Sequence, residues 1–380
     1  MIAAGENAAM KSEIERRIRA AEGDLLGLSH RIHAHPELGY EEERASAWVA
    51  EALSKGGFAV EHGCYGLPTA VRATAGSGPL HIAICAEYDA LPGIGHACGH
   101  NVIAAAAVGA GLGLAPYADA LGLTVTVLGT PAEEGGGGKV LMLERGAFDG
   151  LDAAMMVHPA AVESVVMPPT AMAMFDVSYR GKPAHAGAAP ELGVNAADAM
   201  TVAQVAIGLL RQQTTAADRI QGIVTAAGTA PNVIPDASSG RWVVRSDTLE
   251  SLTPLKERVH RCFEAGALAT GCELTIEPSA PDYADVRTDA RMARLYRANA
   301  EALGRVFPEA GAPAGAATDM GNVSHKVPVI HPLLGLDCAP AVNHQPEFTA
   351  ACVTENADRA VLDGAIAMAW TAADLSASAP

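Results

Sequence analysis

The residues best suited to chemistry are carboxylates, a thiol and imidazoles that follow a few apolar stretches. Adjacent glutamates, Glu133 and Glu134, occur in GTPAEEGGGGK (129–139). Cys98 and His100 occur in AEYDALPGIGHACGHN (86–101), and His158 in MMVHP (155–159). Thiolate, imidazole and carboxylate together are ligands for zinc, and the imidazoles and carboxylates also suit manganese or cobalt. These residue types therefore predict a divalent transition-metal site.

The spacing within these segments predicts how the side chains divide the chemistry. Cys98 and His100 are two residues apart, so both side chains point to one side of an extended loop. Glu133 and Glu134 are adjacent, so they point to opposite sides of an extended backbone. One of them can bind a metal while the other faces a metal-activated water and takes its proton as a general base.

Each of these residues taken alone has a simpler explanation than metal binding. An isolated cysteine is commonly a small buried hydrophobe, and a pair of glutamates is commonly solvated charge. Their occurrence together after three successive strands favours the metal site. His344, in NHQPEF, could be the last ligand, but spacing alone leaves that open. Structural roles are predicted for the remaining histidines and cysteines that we considered: His30, His33, His62, His81, His260, His325, Cys64, Cys85, Cys262, Cys272, Cys338 and Cys352.

Alternating strands and helices must bring the polar segments together. HIAICAE (81–87), LTVTVLG (123–129) and DAAMMV (152–157) are predicted strands, and each ends at a polar segment. Helices are predicted at 13–32, 42–55, 102–115 and around 138–146. Such alternation is typical of an α/β fold with a mainly parallel sheet and helices on both faces, in which ligands bind at the carboxyl ends of the strands.

A different order of elements begins after MPP (167–169). Strands are predicted at 170–181, 219–228, 240–248 and 273–278, and helices at 194–213 and 251–270. This β-α-β-β-α-β order is that of a ferredoxin-like α+β domain. The sequence therefore predicts a catalytic domain formed by residues 1–168 and 281–380, interrupted by an inserted domain at 169–280.

Composition excludes several classes of function. The chain has 380 residues with 49% hydrophobic content, and its formal net charge of -17 argues against a nucleic-acid surface. The apolar run 102–115 is too short to span a bilayer, and we expect no membrane association. The first residues lack the pattern of a signal peptide, and seven scattered cysteines favour reduced thiols. We therefore expect a cytoplasmic protein.

Eight motifs now carry a resemblance that spans nearly the whole chain. They are RIHAHPELGYEE, AEYDALPGIGHACGHN, GTPAEEGGGGK, MMVHP, GKPAHAG, APNVIPDA, ATDMGNVS and NHQPEF. Their order resembles that of the aminoacylase/carboxypeptidase-type metallopeptidases of peptidase family M20. Within that family the chain resembles the amidohydrolase branch, which includes p-aminobenzoyl-glutamate hydrolase, hippurate hydrolase and auxin-conjugate hydrolases.

The resemblance implies a zinc-peptidase-like catalytic domain that binds two divalent metal ions, zinc or manganese, with cobalt as a further candidate. The ligands that it implies are Cys98, His100, Glu134, His158 and His344. It implies that Glu133 is the general base and that Asp89 is a carboxylate that orients the site.

The resemblance further implies that the inserted domain is a lid and the dimerisation domain of a homodimer. His185, in PAHAG, matches a histidine that stabilises the oxyanion in the neighbouring subunit's active site. Asn232 and Arg245 match lid residues that hold the substrate, the arginine by its carboxylate. In GRWVVRSDT, Trp242 and Val244 share one face of the strand, so Arg245 can point away from the domain core.

Two residues depart from the branch, which commonly has aspartate at both positions. Glu87 is read as a changed outer group or a further metal contact, and we leave it outside the ligand set. Asn101 could cap the helix that follows, because asparagine is a good N-cap. These departures bear on the substrate and the metal rather than on the reaction.

The predicted function is hydrolysis of the amide bond of an N-acyl or N-aminoacyl amino acid, with Glu133 as general base. A phosphate-binding loop is excluded, because Glu133 and Val140 stand where that motif needs glycine and serine or threonine. The alternatives are a catalytically inactive metal-binding or scaffold protein of the same fold and a closed structural metal site. The spare carboxylate beside a complete mixed ligand set favours the enzyme.

Overall fold

The computed structural model describes residues 4–168, 170–309 and 316–377. Within these ranges the chain forms two compact units. The first comprises residues 4–168, 286–309 and 318–377, and the second comprises 170–285 with 316–317.

The helices and strands of the described residues are numbered along the chain. The helices are α1 Ala4–Ala20, α2 Glu22–Ala34, α3 Glu43–Lys55, α4 His100–Leu114, α5 Gly138–Glu144, α6 Ala196–Leu210, α7 Leu249–Thr270, α8 Ala290–Ala302, α9 Met320–Ser324, α10 Pro346–Ala351 and α11 Glu355–Ala377. The strands are β1 Ala59–His62, β2 Val71–Ala75, β3 Leu80–Ala86, β4 Leu123–Gly129, β5 Ala153–Met155, β6 His158–Ala160, β7 Ala171–Arg180, β8 Arg219–Ala227, β9 Ala237–Ser246, β10 Glu273–Pro278, β11 Val329–Ile330 and β12 Leu333–Gly335.

The first unit is built on a six-stranded sheet with the order β1-β2-β4-β3-β5-β11. Strands β4, β3, β5 and β11 are parallel, whereas β1 and β2 form an antiparallel edge. The predicted mainly parallel sheet is therefore confirmed, and the structure adds β1, β2 and β11 to the predicted strands. The four parallel strands end at one edge of the sheet, which is where such sheets bind ligands.

Helix α4 lies at the centre of the first unit, where it contacts α2, α11 and β3. Its alanine-rich sequence is buried on every side, because small side chains allow neighbouring elements to approach closely. A Cβ atom on Gly111 would lie 2.7 Å from Cγ2 of Val127, so this position needs glycine. None of the helices in the described ranges is long and apolar enough to cross a membrane.

One predicted helix is two helices in the structure. The sequence predicts a single helix over 13–32, but α1 ends at Ala20 and α2 begins at Glu22. Apolar residues with helical spacing continue across the break, including Ile18 and Leu25, and both are buried. The spacing alone therefore does not reveal the interruption.

The second unit has a four-stranded antiparallel sheet with the order β10-β7-β9-β8. Helices α6 and α7 contact each other and the sheet, and the buried residues of the unit form their own apolar core. Its chain order is the β-α-β-β-α-β order that the sequence predicts. Strand β8 lies at the edge, where only β9 pairs with it among the described strands.

Candidate metal centre

Four parallel strands carry polar residues to the same edge of the first sheet. Glu87 follows β3 directly, and Glu133 follows β4 after a short loop. His158 follows β5 and begins β6, while His331 directly follows β11. The strand ends therefore assemble the residues that the sequence predicted there, together with His331, which it did not.

The loop after β3 ends at helix α4, and this junction fixes Cys98 and His100. His100 is the first residue of α4, and Gly99 is its N-cap with a left-handed backbone (φ 73°). The suggestion that Asn101 caps the helix is wrong, because Asn101 already lies within it. The Asn101 side chain instead donates hydrogen bonds to Ser29 Oγ and to the backbone oxygen of Cys352, both at 2.9 Å.

Potential metal ligands meet in three groups among the described residues. In each group, three ligand atoms lie within 4.8 Å of one another. Two of the groups share the Cys98 thiol, which is the arrangement expected when one ligand serves two neighbouring ions. The groups are Cys98, His100 and His158; Cys98, Glu134 and His344; and Glu87, His100 and Glu133.

Asp89 orients His100 from behind. Its Oδ1 lies 3.0 Å from Nδ1 of His100, and its Oδ2 accepts the backbone N–H of Glu134 at 2.9 Å. Burial opposes ionisation of both groups, but their mutual attraction raises the pKa of His100 well above its ordinary value and lowers that of Asp89. Nε2 of His100 therefore faces the other ligands, where no described residue forms a hydrogen bond with it.

Glu133 and Glu134 lie in a turn rather than in extended backbone. Ala132 has a φ of 56°, and Gly135 and Gly137 are also left-handed. The prediction that the two carboxylates point to opposite sides is therefore wrong, since each has an oxygen 3.9 Å from Nε2 of His100. Burial and the charges of Glu87 and Glu134 raise the pKa of Glu133 well above its ordinary value.

The histidines of the site are mostly held neutral. Burial and the neighbouring His331 lower the pKa of His158 to about 3, and burial lowers that of His331 to about 4. The two rings stack with centroids 5.4 Å apart. Neutral imidazole is the form that binds metals. Neither ring nitrogen of buried His331 has a hydrogen-bond partner among the described residues.

Behind the ligands, a buried lysine joins two carboxylates. Nζ of Lys139 lies 2.5 Å from Oε1 of Glu87 and 2.7 Å from Oδ1 of Asp319. All three side chains are fully buried. Burial alone would raise the pKa of Glu87, but Lys139 and the nearby imidazoles bring it below its ordinary value. The sequence predicted only that a helix begins near Lys139, and no signal in it pointed to Asp319 as its partner.

The predicted lid residues all lie in the second unit. Nδ1 of His185 accepts the backbone N–H groups of Gly187 and Ala188, so the ring proton is on Nε2. The backbone of the Asn232 segment pairs with that of the His185 segment. Arg245 lies in β9 beside a core formed by Trp242 and Val244, and burial lowers its pKa.

The histidines and cysteines with predicted structural roles stay outside the three ligand groups. All seven cysteines are free thiols, and six of them are buried. His344 contrasts with the other ligand candidates, because its side chain is 61% exposed. Its backbone N–H donates to Ala97, and its Nε2 lies 3.8 Å from Oε1 of Glu134.

Comparison with known proteins supports the resemblance. Residues 83–361 match the model of Peptidase family M20/M25/M40. The mouse Xaa-Arg dipeptidase is 39% identical over 98% of this chain and 90% of its own length. A p-aminobenzoyl-glutamate hydrolase polypeptide of Escherichia coli is 32% identical over 70% of this chain and 59% of its own length.

A solved structure shares the fold. It is a dinuclear metal-binding peptidase of the M20 family from Bacillus subtilis, with a TM-score of 0.73 and 23% identity over 95% of this chain and 99% of that one. Together with the family match and the curated relatives, this likeness confirms the predicted resemblance. The chain belongs to peptidase family M20/M25/M40 and is a hydrolase that cleaves amide bonds.

Proposed function

We propose that the protein is a two-metal dipeptidase or N-acyl amino acid hydrolase with Glu133 as its general base. The observation that carries this proposal is the pair of three-ligand groups that share Cys98. The ligand candidates are Cys98, His100, Glu134, His158 and His344. This arrangement favours an enzyme over an inactive scaffold, because Glu133 lies beside the ligands without being needed in either group.

The residues present fit two divalent ions. Nε2 of His100 and Oε1 of Glu134 are buried without a hydrogen-bond partner in the described part of the chain, an arrangement that is costly unless a cation binds there. The mixture of sulfur, nitrogen and oxygen suits zinc, and manganese and cobalt are the other candidates. A divalent ion there would acidify a water molecule and polarise the carbonyl of the scissile bond.

The residues of the chain then divide the proton transfers. Glu133 takes a proton from the attacking water and returns it to the leaving amine, so that water is added across the amide bond. Its raised pKa brings the carboxyl nearer to the range that suits a general base at neutral pH. Asp89 holds His100 in the tautomer that presents Nε2 to the metal.

For the substrate we propose a dipeptide with a cationic C-terminal residue. The mouse and human relatives that match nearly the whole chain are Xaa-Arg dipeptidases. A net charge of -17 would also attract a cationic substrate. Arg245 and Asn232 would hold the free carboxylate of that substrate.

A substrate panel tests the proposed function. Purified protein is stripped of metal, reloaded with manganese, zinc or cobalt, and assayed against dipeptides and N-acyl amino acids, with bound metal quantified by mass spectrometry. We expect metal-dependent hydrolysis with the highest kcat/KM for Xaa-Arg or Xaa-Lys dipeptides. Absence of hydrolysis across the panel with every metal would refute the enzyme assignment, and preference for a neutral acyl amino acid would refute the substrate.

We also propose a homodimer formed through the second unit. Every residue of β8 except Ile220 is exposed, including Ile223 and Val224, although the strand is at a sheet edge. An exposed apolar edge strand readily pairs with another chain. Val205 and Leu209 on α6 are exposed as well. I223R with V224K should give monomers in light scattering, and a monomeric wild-type protein would contradict the interface.

The dimer would place His185 in the partner's active site, where Nε2–H can donate to the oxyanion. This role can be tested by mixing two inactive variants, E133Q and H185A. A mixed dimer has one site with an intact Glu133 and an intact His185 from the other protomer, so activity should partly return. No recovery in verified mixed dimers would argue against the role in trans. The buried free thiols support the proposed cytoplasmic location.

A further inference from the structure

The two oxygens of Glu87 have different surroundings. Oε1 is held by the ammonium of Lys139 at 2.5 Å. Oε2 is buried, has no hydrogen-bond partner among the described residues, and lies 3.4 Å from Nε2 of His100. That nitrogen likewise lacks a hydrogen-bond partner within the described ranges and belongs to two of the three ligand groups. Glu87 therefore presents an unused carboxylate oxygen to the metal centre.

The unused oxygen is held in place by a rigid support. Lys139 is fixed by Asp319, which contacts both its Nζ, at 2.7 Å, and its backbone N–H, at 2.8 Å. The two contacts with Asp319 leave the lysine little freedom to turn away from Glu87. A fully buried ammonium is stable only when carboxylates of this kind surround it. Lys139 and Asp319 thus have a geometric reason to keep Glu87 in one orientation.

The surroundings of Glu87 are unfavourable for a carboxylate unless a cation binds. Glu87, Glu133 and Nε2 of His100 lie within 4.8 Å of one another, and Glu134 approaches the same nitrogen. The ammonium of Lys139 is shared between Glu87 and Asp319. Like charges at such distances repel strongly when buried, and a divalent ion between them would reverse the sign of that interaction.

We propose that Glu87 is a further ligand of the metal ion that His100 binds, and that Lys139 and Asp319 position it. This inference rests on the proposed two-metal function. An added carboxylate oxygen makes the site harder, so it would favour manganese over zinc more than the five other ligand candidates would alone. Glu87 is then a metal ligand, and Lys139 is a positioning residue that does not touch the reacting atoms.

Metal titration of the full-length protein tests the proposal. Metal-free wild type, E87Q and E163Q are titrated with manganese, and the visible spectra of their cobalt forms are compared. Glu163 is a matched control, because it is also a buried carboxylate beside a cation, yet it belongs to none of the ligand groups. We expect E87Q to bind one of two manganese ions at least about 10–100-fold more weakly and to change the cobalt spectrum, while E163Q matches wild type.

A second variant keeps the test valid if E87Q folds poorly by circular dichroism. E87D keeps the charge but is one methylene shorter, so it cannot contact both Lys139 and the ion, and we again expect weaker binding of one manganese ion. Unchanged affinity and an unchanged cobalt spectrum in a folded Glu87 variant would overturn the inference while leaving the proposed function intact. Wild-type protein that binds no metal would overturn both.

Discussion

Two buried clusters in the first unit each hold one cation between two carboxylates. In one, Lys139 joins Glu87 and Asp319 at 2.5 and 2.7 Å. In the other, Arg305 joins Asp363 at 2.8 Å and Glu163 at 3.4 Å. The clusters have the same charge, lie in the same unit and are similarly buried.

Their surroundings differ, and that difference separates a site from a structural ion pair. Arg305 also donates to the backbone oxygen of Gly335, and Glu163 accepts the backbone N–H of that residue. Within the described ranges Glu163 has an oxygen without a hydrogen-bond partner, as Glu87 does, but only the free oxygen of Glu87 faces an imidazole of a ligand group. An unsatisfied buried atom therefore indicates a metal site only when other ligands converge on it.

The largest effect is expected at the carboxylates beside the lysine cluster. Glu133→Gln should retain both metals and lower kcat by about 10²–10⁴-fold, because it removes the general base. Glu134→Gln should lose metal affinity as well as activity. Steady-state kinetics combined with metal analysis separates the two effects. Equal and mild losses in both variants would mean that the glutamates do not divide these tasks.

The arginine cluster should respond in stability alone. Arg305→Met leaves Glu163 and Asp363 buried without their cation, so we expect the free energy of unfolding to fall by about 3–5 kcal/mol. Urea denaturation measures this loss. Manganese affinity of the folded variant should remain that of wild type, and a large drop in affinity would remove the contrast between the clusters.

A third buried carboxyl, Glu42, shows what happens without a cation. It accepts hydrogen bonds from Thr69 and from the backbone N–H of Ala132, yet burial and then the charge of Asp89 raise its pKa to about 7. Because the folded pKa exceeds the ordinary value of 4.5, the folded state retains a proton that the unfolded state loses. The stability from this group is complete below pH 4.5 and declines as the pH rises to about 7.

Glu42→Gln should therefore gain stability relative to wild type as the pH rises. Between about pH 4.5 and about pH 8 the difference in unfolding free energy should shift towards the variant by about 3 kcal/mol. Urea unfolding of both metal-free proteins across this range measures the shift, and other titrating groups cancel in the difference. Parallel stability curves would show that Glu42 is ionised in the folded protein.

The smallest effect is expected at an exposed ion pair in the second unit. Arg241 contacts Asp176 at 2.8 Å, but the two side chains are 58% and 46% exposed. Arg241→Ala should change the free energy of unfolding by about 0.5 kcal/mol or less, because solvent screens the pair. A loss comparable with that of the Arg305 variant would show that burial does not explain the difference between the ion pairs.

Several features were predictable because they depend on local sequence. The strands that end at the polar segments, the β-α-β-β-α-β order and the Cys98–His100 spacing follow from apolar periodicity and short motifs. The turn at Glu133 was missed, because Ala132 adopts a left-handed conformation that its residue type does not signal. His331 was missed because its strand has only two residues.

The sequence by itself determined the residue types of the site and the strand ends that carry them, because alternating apolar and polar segments fix which residues follow which strands. Only the tertiary structure decided the partners of Lys139, since Asp319 lies 180 residues further along the chain and Glu87 lies 52 residues before it. Local spacing carries no information about such contacts. They arise when the sheet brings distant strand ends to one edge and burial requires each charge to find an opposite one.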